Sequence, residues 1–104
     1  MTIKWTLSAL HDLENIKEYI SKDSEFYANR FAEKIFESVK KLISFPQIGR
    51  KVPEFMDENI RELLLQNYRI IYLYENCSEI IYVVNIIHGA RDLSSIDNNL
   101  WEIL

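Results

Sequence analysis

Apolar residues recur along this chain with two different periods, and the change falls near residue 45. Before it, Leu10, Leu13, Ile16 and Ile20 return every three or four residues, with Asp12, Glu14, Lys17 and Glu18 facing away. That spacing predicts an amphipathic helix. Thr6 or Ser8 supplies its cap, because a hydroxyl there can accept a free backbone N–H, and it should end near Ser21–Asp23. A second helix follows with the stripe Ala28, Phe31, Ala32, Ile35, Val39, Leu42 and Ile43, and Arg30, Glu33, Lys34, Glu37, Lys40 and Lys41 outside. Asp23 or Ser24 caps it, and Glu25 in its first turn suits the helix dipole. The break between the helices is short, which predicts an antiparallel hairpin with one apolar side. Ahead of it, Ile3 to Trp5 fits a short first strand.

Residues 45–59 show no period and hold Pro46, Gly49 and Pro53. Such a length is unusual for a connection in a small domain; the segment is either functional or simply carries the chain onward. From Ile60 three runs rich in Ile, Val, Leu and Tyr are broken at Gln66-Asn67 and at Glu75-Asn76-Cys77-Ser78. They read as strands joined by tight turns, an antiparallel meander. In the last strand strict alternation puts Ile80, Tyr82, Val84, Ile86 and His88 on one side and Ile81, Val83, Asn85 and Ile87 on the other. Both sides are therefore apolar, yet the hairpin supplies one cover. Leu93, Ile96, Leu100 and Ile103, behind Asp92 or Ser94 as cap, predict a short C-terminal helix covering part of the second face. A partner chain is the natural remainder. The expected fold is α+β in two layers. Residues 1–104 form one domain, with an N-terminal strand, a helical hairpin, a three- to four-stranded antiparallel sheet and that last helix.

Composition narrows the function classes. With 104 residues, 48% of them hydrophobic, and only two Gly and two Pro, the chain can bury one core and is not disordered. The net charge is −4, and all of it falls in residues 45–104, which argues against a broad basic face for duplex nucleic acid. Cys77 is alone, so an intramolecular disulfide and a cysteine zinc cage are excluded. The two histidines lack ligand spacing, and no metal or cofactor is expected. No apolar run reaches membrane-spanning length and the first residues lack a signal-peptide core, so the expectation is a soluble, cytoplasmic protein with no membrane role.

The candidate chemistry centres on the meander. Arg61, Arg69 and Arg91 flank it, and converging guanidinium groups suit a phosphate or carboxylate. The same arginines can instead pair with Glu54, Glu58, Glu62 or Asp92 and tie strand ends together. His88, followed by Gly89 and Arg91, can move a proton near neutral pH beside a held phosphate, or can serve as a hydrogen-bonding residue at a strand end. Tyr68, Tyr72, Tyr74 and Tyr82 can stack on bases or pack at a half-covered face.

Trp5 and Ala9, Asp12-Leu13, Ile16 and Tyr19-Ile20 belong to one pattern with Ala28, Phe31 and Leu42. It continues through Pro46-Gln47-Ile48-Gly49-Arg50, Val52-Pro53-Glu54 and Arg61-Glu62-Leu63, then Tyr68-Arg69-Ile70-Ile71-Tyr72 and His88-Gly89-Ala90-Arg91-Asp92. Together these resemble the RelE/ParE superfamily of toxins from bacterial type II toxin–antitoxin modules. The resemblance implies the fold just described and a cognate antitoxin that covers exposed apolar surface, assigned here to Tyr72, Tyr74, Tyr82, Val84 and Ile86. A homodimer burying the same face is the rival. RelE-like members cleave mRNA in the ribosomal A site, and ParE-like members poison DNA gyrase. The Gly49-Arg50, Val52-Pro53-Glu54 and His88–Asp92 pieces look closer to the ParE-like branch, and Lys51 is the only lysine after Pro46. The resemblance thus implies a gyrase inhibitor in a plasmid-stabilisation or stress module, with Arg50, Arg61, Arg69 and Arg91 meeting the target. Under the ribonuclease alternative Arg61 and Arg91 hold the scissile phosphate and His88 transfers protons. A degenerate member that only binds antitoxin is the third reading.

Overall fold

The computed structural model describes residues 1–89, so the expected C-terminal helix and Arg91 lie outside the described residues. Strand β1 (Thr2–Trp5) leads into α1 (Leu7–Ser21), capped by Thr6, whose Oγ1 accepts the Ala9 N–H at 3.1 Å. Helix α2 (Glu25–Lys40) is capped by Ser24, whose hydroxyl accepts the Tyr27 N–H at 3.2 Å. A 3-10 turn, Lys41–Ile43, extends it. The apolar stripes meet as their spacing predicts: Ala9, Leu13, Phe31, Ala32, Ile35 and Val39 pack on Ile70, Val83 and Ile86 of the sheet. Leu42 packs with Tyr72, Tyr74 and Ile81.

Strands β2 (Arg50–Lys51), β3 (Ile60–Leu65), β4 (Tyr68–Glu75) and β5 (Ile80–His88) complete the sheet in the order β1-β5-β4-β3-β2. The two-layer α+β fold is as expected, and β3-β4-β5 form the antiparallel meander. Two features differ. The sheet has five strands because Arg50 and Lys51, inside the segment read as irregular, pair with Glu62 and Arg61. It is also mixed, since β1 runs parallel to β5 from Thr2 opposite Ile80 to Trp5 opposite Val83. The helical hairpin makes this possible: a parallel neighbour needs a long crossover, and hairpin and meander together provide one.

The strict alternation expected for the last strand fails at Val84. Ile71 lies opposite Asn85 but Tyr72 lies opposite Val83, so β5 carries one extra residue, a β-bulge. The start of α1 holds it in place. Thr6 Oγ1 lies within hydrogen-bond reach of the Val83 and Val84 carbonyls, at 3.1 and 2.9 Å. Asp12 Oδ2 accepts the Ile86 N–H at 2.9 Å and the Asn85 amide at 3.0 Å. Beyond the bulge the side chains change faces, and Ile86 joins Val83 beneath the helices while Ile87 joins Tyr82 and Val84 on the other side.

That second face is apolar too, built from Ile60, Ile71, Tyr82, Val84 and Ile87. Among the described residues Val52 and Phe55, from the segment between β2 and β3, pack on it. The stretch without periodicity is therefore part of the missing cover as well as a connection.

Candidate functional site

Where the second face reaches the β3–β4 turn it becomes charged. Glu62 sits in β3 between Ile60 and Leu64, and its side chain is fully buried. Arg69 of β4, with 6% of its side chain exposed, donates Nε to Glu62 Oε1 at 2.7 Å. Its two terminal nitrogens fork onto the Glu54 carboxylate at 2.8 Å each. Arg50 closes the chain by donating Nε to Glu62 Oε2 at 2.6 Å. Two arginines and two glutamates thus form one neutral array, in which each buried ion has a directed partner. The hydrogen bonds to Glu54, and secondarily Glu62, raise the Arg69 pKa against the opposing effect of burial, so its charge is permanent.

Arg61 belongs to a different assembly. Neighbouring positions of β3 point to opposite sides, and Arg61 lies opposite Tyr72, on the hairpin side. It donates Nη1 to the Gly49 carbonyl at 3.0 Å. The buried Tyr72 hydroxyl accepts the Gly49 N–H at 3.0 Å and donates to the Pro46 carbonyl at 2.9 Å. Only glycine fits there, because a Cβ on residue 49 would come within 2.6 Å of both the Glu62 carbonyl and the Tyr72 hydroxyl. Burial pushes the Tyr72 phenol above its usual value of 10.0, although the Gly49 N–H and the Arg61 charge pull the other way. Next along the chain, Lys51 binds Glu58 at 3.0 Å and lowers that carboxyl's pKa.

His88 ends β5 in an exposed position, its ring edge-on to Tyr68 with centroids 5.8 Å apart, and Tyr68 in turn meets Phe31 at 5.0 Å. A depression of about 330 Å³ at this end of the sheet is lined by Arg50, Leu64, Tyr68, Arg69, His88 and Gly89 together with the Gln66-Asn67 turn. Gln66 takes a left-handed φ of 52°, and the Gly89 N–H closes onto the Asn67 carbonyl at 2.7 Å. The structure thus brings Arg50, Arg69 and His88 to one hollow at the end of the sheet, and Arg61 does not line it.

The five residues expected to meet an antitoxin are all buried and divide between the faces. Tyr72, Tyr74 and Ile86 pack beneath the hairpin, and Tyr82 and Val84 lie opposite. Tyr74 and Tyr72 hydroxyls both have partners, Asn76 Oδ1 for the former at 2.9 Å. The Tyr72–Gly49 clamp went unread in the sequence. Its one signal was a glycine three residues after a proline in a segment without periodicity. The glutamate at the centre of the array was legible in principle, since Glu62 is an acid two residues after the buried Ile60 in a largely apolar strand. Among the described residues no group of histidine, cysteine and carboxylate side chains could hold a metal ion, and no helix is long and apolar enough to cross a membrane.

Comparison with known proteins places the chain in a family. The family model for the ParE toxin of the type II toxin–antitoxin system parDE matches residues 3–93. Toxin RelE2 of Caulobacter vibrioides is 30% identical over 89 residues, spanning 86% of this chain and 96% of that protein. A chain from the chromosomal ParDE toxin–antitoxin system of P. aeruginosa superposes with a TM-score of 0.68 at 24% identity, covering 85% of this chain and 95% of the other. A chain of the Mycobacterium tuberculosis RelBE2 toxin–antitoxin complex gives 0.56 at 15% identity, with 84% and 95% covered, and supports the fold alone. With the family match running through nearly the whole chain, this protein belongs to the ParE toxins of type II toxin–antitoxin systems, within the RelE/ParE superfamily.

Proposed function

We propose that this toxin arrests growth by binding DNA gyrase, without cleaving RNA, and that a cognate antitoxin neutralises it in the cytoplasm. The observation that carries the reading is the neutral array. A ribonuclease site needs cations directed at the scissile phosphate and at the charge that develops in the transition state. Here Arg69 spends its fork on Glu54 and its Nε on Glu62, and Arg50 is turned to the same carboxylate. Arg61 is committed to the Gly49 carbonyl. The match of the ParE model to residues 3–93 supports the same choice. The antitoxin reading draws support from the solved relatives, which are chains of a ParDE toxin–antitoxin system and a RelBE2 toxin–antitoxin complex.

One observation favours ribosome-dependent mRNA cleavage: His88 shares its hollow with Arg50 and Arg69. The two readings separate in one pair of assays on the purified toxin. The gyrase reading predicts inhibition of DNA supercoiling by gyrase, and no new mRNA ends when the toxin is added to translating ribosomes. New ends within codons, with supercoiling unaffected, would reverse the choice.

A further inference from the structure

Sixteen consecutive residues, 38–53, hold Lys40, Lys41, Arg50 and Lys51 and not one acid, in a chain whose net charge is −4. Arg50 and Lys51 are matched by Glu62 and Glu58. Among the described residues no carboxylate pairs with Lys40 or Lys41. Both are exposed at the end of α2, one turn before a hydrophobic surface. There Ile43, Phe45 and Ile48 are 46%, 62% and 56% exposed. Phe45, Pro46 and Ile48 line a hollow of about 430 Å³ floored by Tyr74.

This surface is held in shape from beneath. Tyr72 grips both ends of the Pro46–Gly49 turn, Arg61 fixes the Gly49 carbonyl, and the Phe45 N–H closes onto the Lys41 carbonyl at 3.0 Å. Exposed apolar side chains on a connecting loop usually relax against the core; here buried polar groups hold Phe45 and Ile48 in water. Apolar anchors held in place within a polar border are the anatomy of a protein-binding site, and here Ser44 and Gln47 line the hollow beside Phe45 and Ile48. Glu75, which follows Tyr74 in β4, accepts a hydrogen bond from Ser78 at 2.9 Å.

We propose that the Phe45–Ile48 hollow, together with the exposed Lys40 and Lys41 on the turn of chain that leads into it, is a docking site for an acidic segment of the antitoxin, which inserts one large apolar side chain against Tyr74. This rests on the antitoxin reading above. The charge surplus selects an acidic partner segment. The apolar lining of the hollow selects a side-chain anchor and disfavours a nucleic-acid strand, which would need cations at the floor. The site is distinct from Tyr72, Tyr82, Val84 and Ile86, which are all buried.

The test is the affinity of the full-length antitoxin for three full-length toxins: wild type, Lys40→Glu/Lys41→Glu, and Ile48→Asp. Thermal melts first check that the variants are folded, which the exposed positions make straightforward. Charge reversal should weaken binding at least about tenfold at low salt, with the deficit shrinking as salt rises, since exposed charges are screened. Ile48→Asp should weaken binding by about tenfold or more at every salt concentration. Affinities within about twofold of wild type for both folded variants would overturn the site while leaving the antitoxin reading intact. A wild-type toxin that does not bind antitoxin at all would overturn both. Displacement of the antitoxin by a single-stranded RNA oligonucleotide, lost in Lys40→Glu/Lys41→Glu, would assign the surface to nucleic acid instead.

Discussion

The two faces of the sheet solve the same burial problem by different means. Beneath the helices the cover is regular and apolar, with Ala9, Leu13, Phe31 and Ile35 packing on Ile70, Val83 and Ile86. On the opposite face the contacts from described residues come from an irregular segment. Two apolar residues, Val52 and Phe55, pack at one place, and Glu54 reaches Arg69 at another. The first face gains stability from apolar area, which tolerates exchange of one hydrophobe for another of similar size. The second adds directed ion pairs to its apolar patch, and the buried partners among them cannot be removed cheaply. A face closed by burial is a scaffold, and a face closed by charges that cancel is poorly suited to gripping a phosphate.

Arg69→Ala probes the ionic face most severely. It takes the fork from Glu54 and leaves the fully buried Glu62 side chain with the half-exposed Arg50 as its remaining arginine, and should cost about 3–5 kcal/mol by urea denaturation. Replacing the pair together, as Glu62→Leu/Arg69→Met, should recover most of that loss, because an apolar pair needs no compensation. If the double variant is as unstable as Arg69→Ala, the ionic account of this face is wrong. Ile35→Ala is the counterpart under the helices. It deletes a fully buried side chain and should cost about 2–5 kcal/mol, with no comparable single partner able to restore it.

Between the faces stands the Tyr72 clamp. Tyr72→Phe leaves the Gly49 N–H and Pro46 carbonyl without their partner and should cost about 1–3 kcal/mol. It should also alter the pH dependence. The Tyr72 pKa is raised in the folded state, so its stabilising effect is complete below pH 10.0, the unfolded value, and is lost as pH rises through the folded-state pKa. Thermal melts at increasing alkaline pH should therefore show a decline in the wild type that is shallower in Tyr72→Phe. The smallest effect belongs to Arg50→Ala. More than half of the Arg50 side chain is exposed, and its loss should cost less than about 1 kcal/mol while Arg69 continues to hold Glu62.

The contrast between the faces also explains what the sequence disclosed. Helix spacing in Leu10–Ile20 and Ala28–Leu42 exposed the hairpin, and the runs after Ile60 exposed the meander, because both signals are local. The bulge at Val84 was not local. It depends on Thr6 and Asp12, more than seventy residues away, so alternation alone assigned Ile86 and His88 to the wrong face. The parallel pairing of β1 with β5 was hidden for the same reason. The arginines were visible as candidates, and so were Glu54 and Glu62 as possible partners. What spacing could not decide was which carboxylate each guanidinium would meet, since that is set by a segment with no periodicity.

His88 offers the most direct test of whether this toxin acts by binding or by catalysis. A general acid or base contributes about 10²–10⁴-fold in rate, whereas a strand-end residue resting on Tyr68 can be exchanged for another donor and acceptor. The measurement is growth arrest on induction of His88→Gln beside the wild type, at equal levels of folded protein. Arrest of equal strength is the predicted result. A folded His88→Gln protein that no longer arrests growth would contradict the binding account and make His88 part of a ribonuclease site.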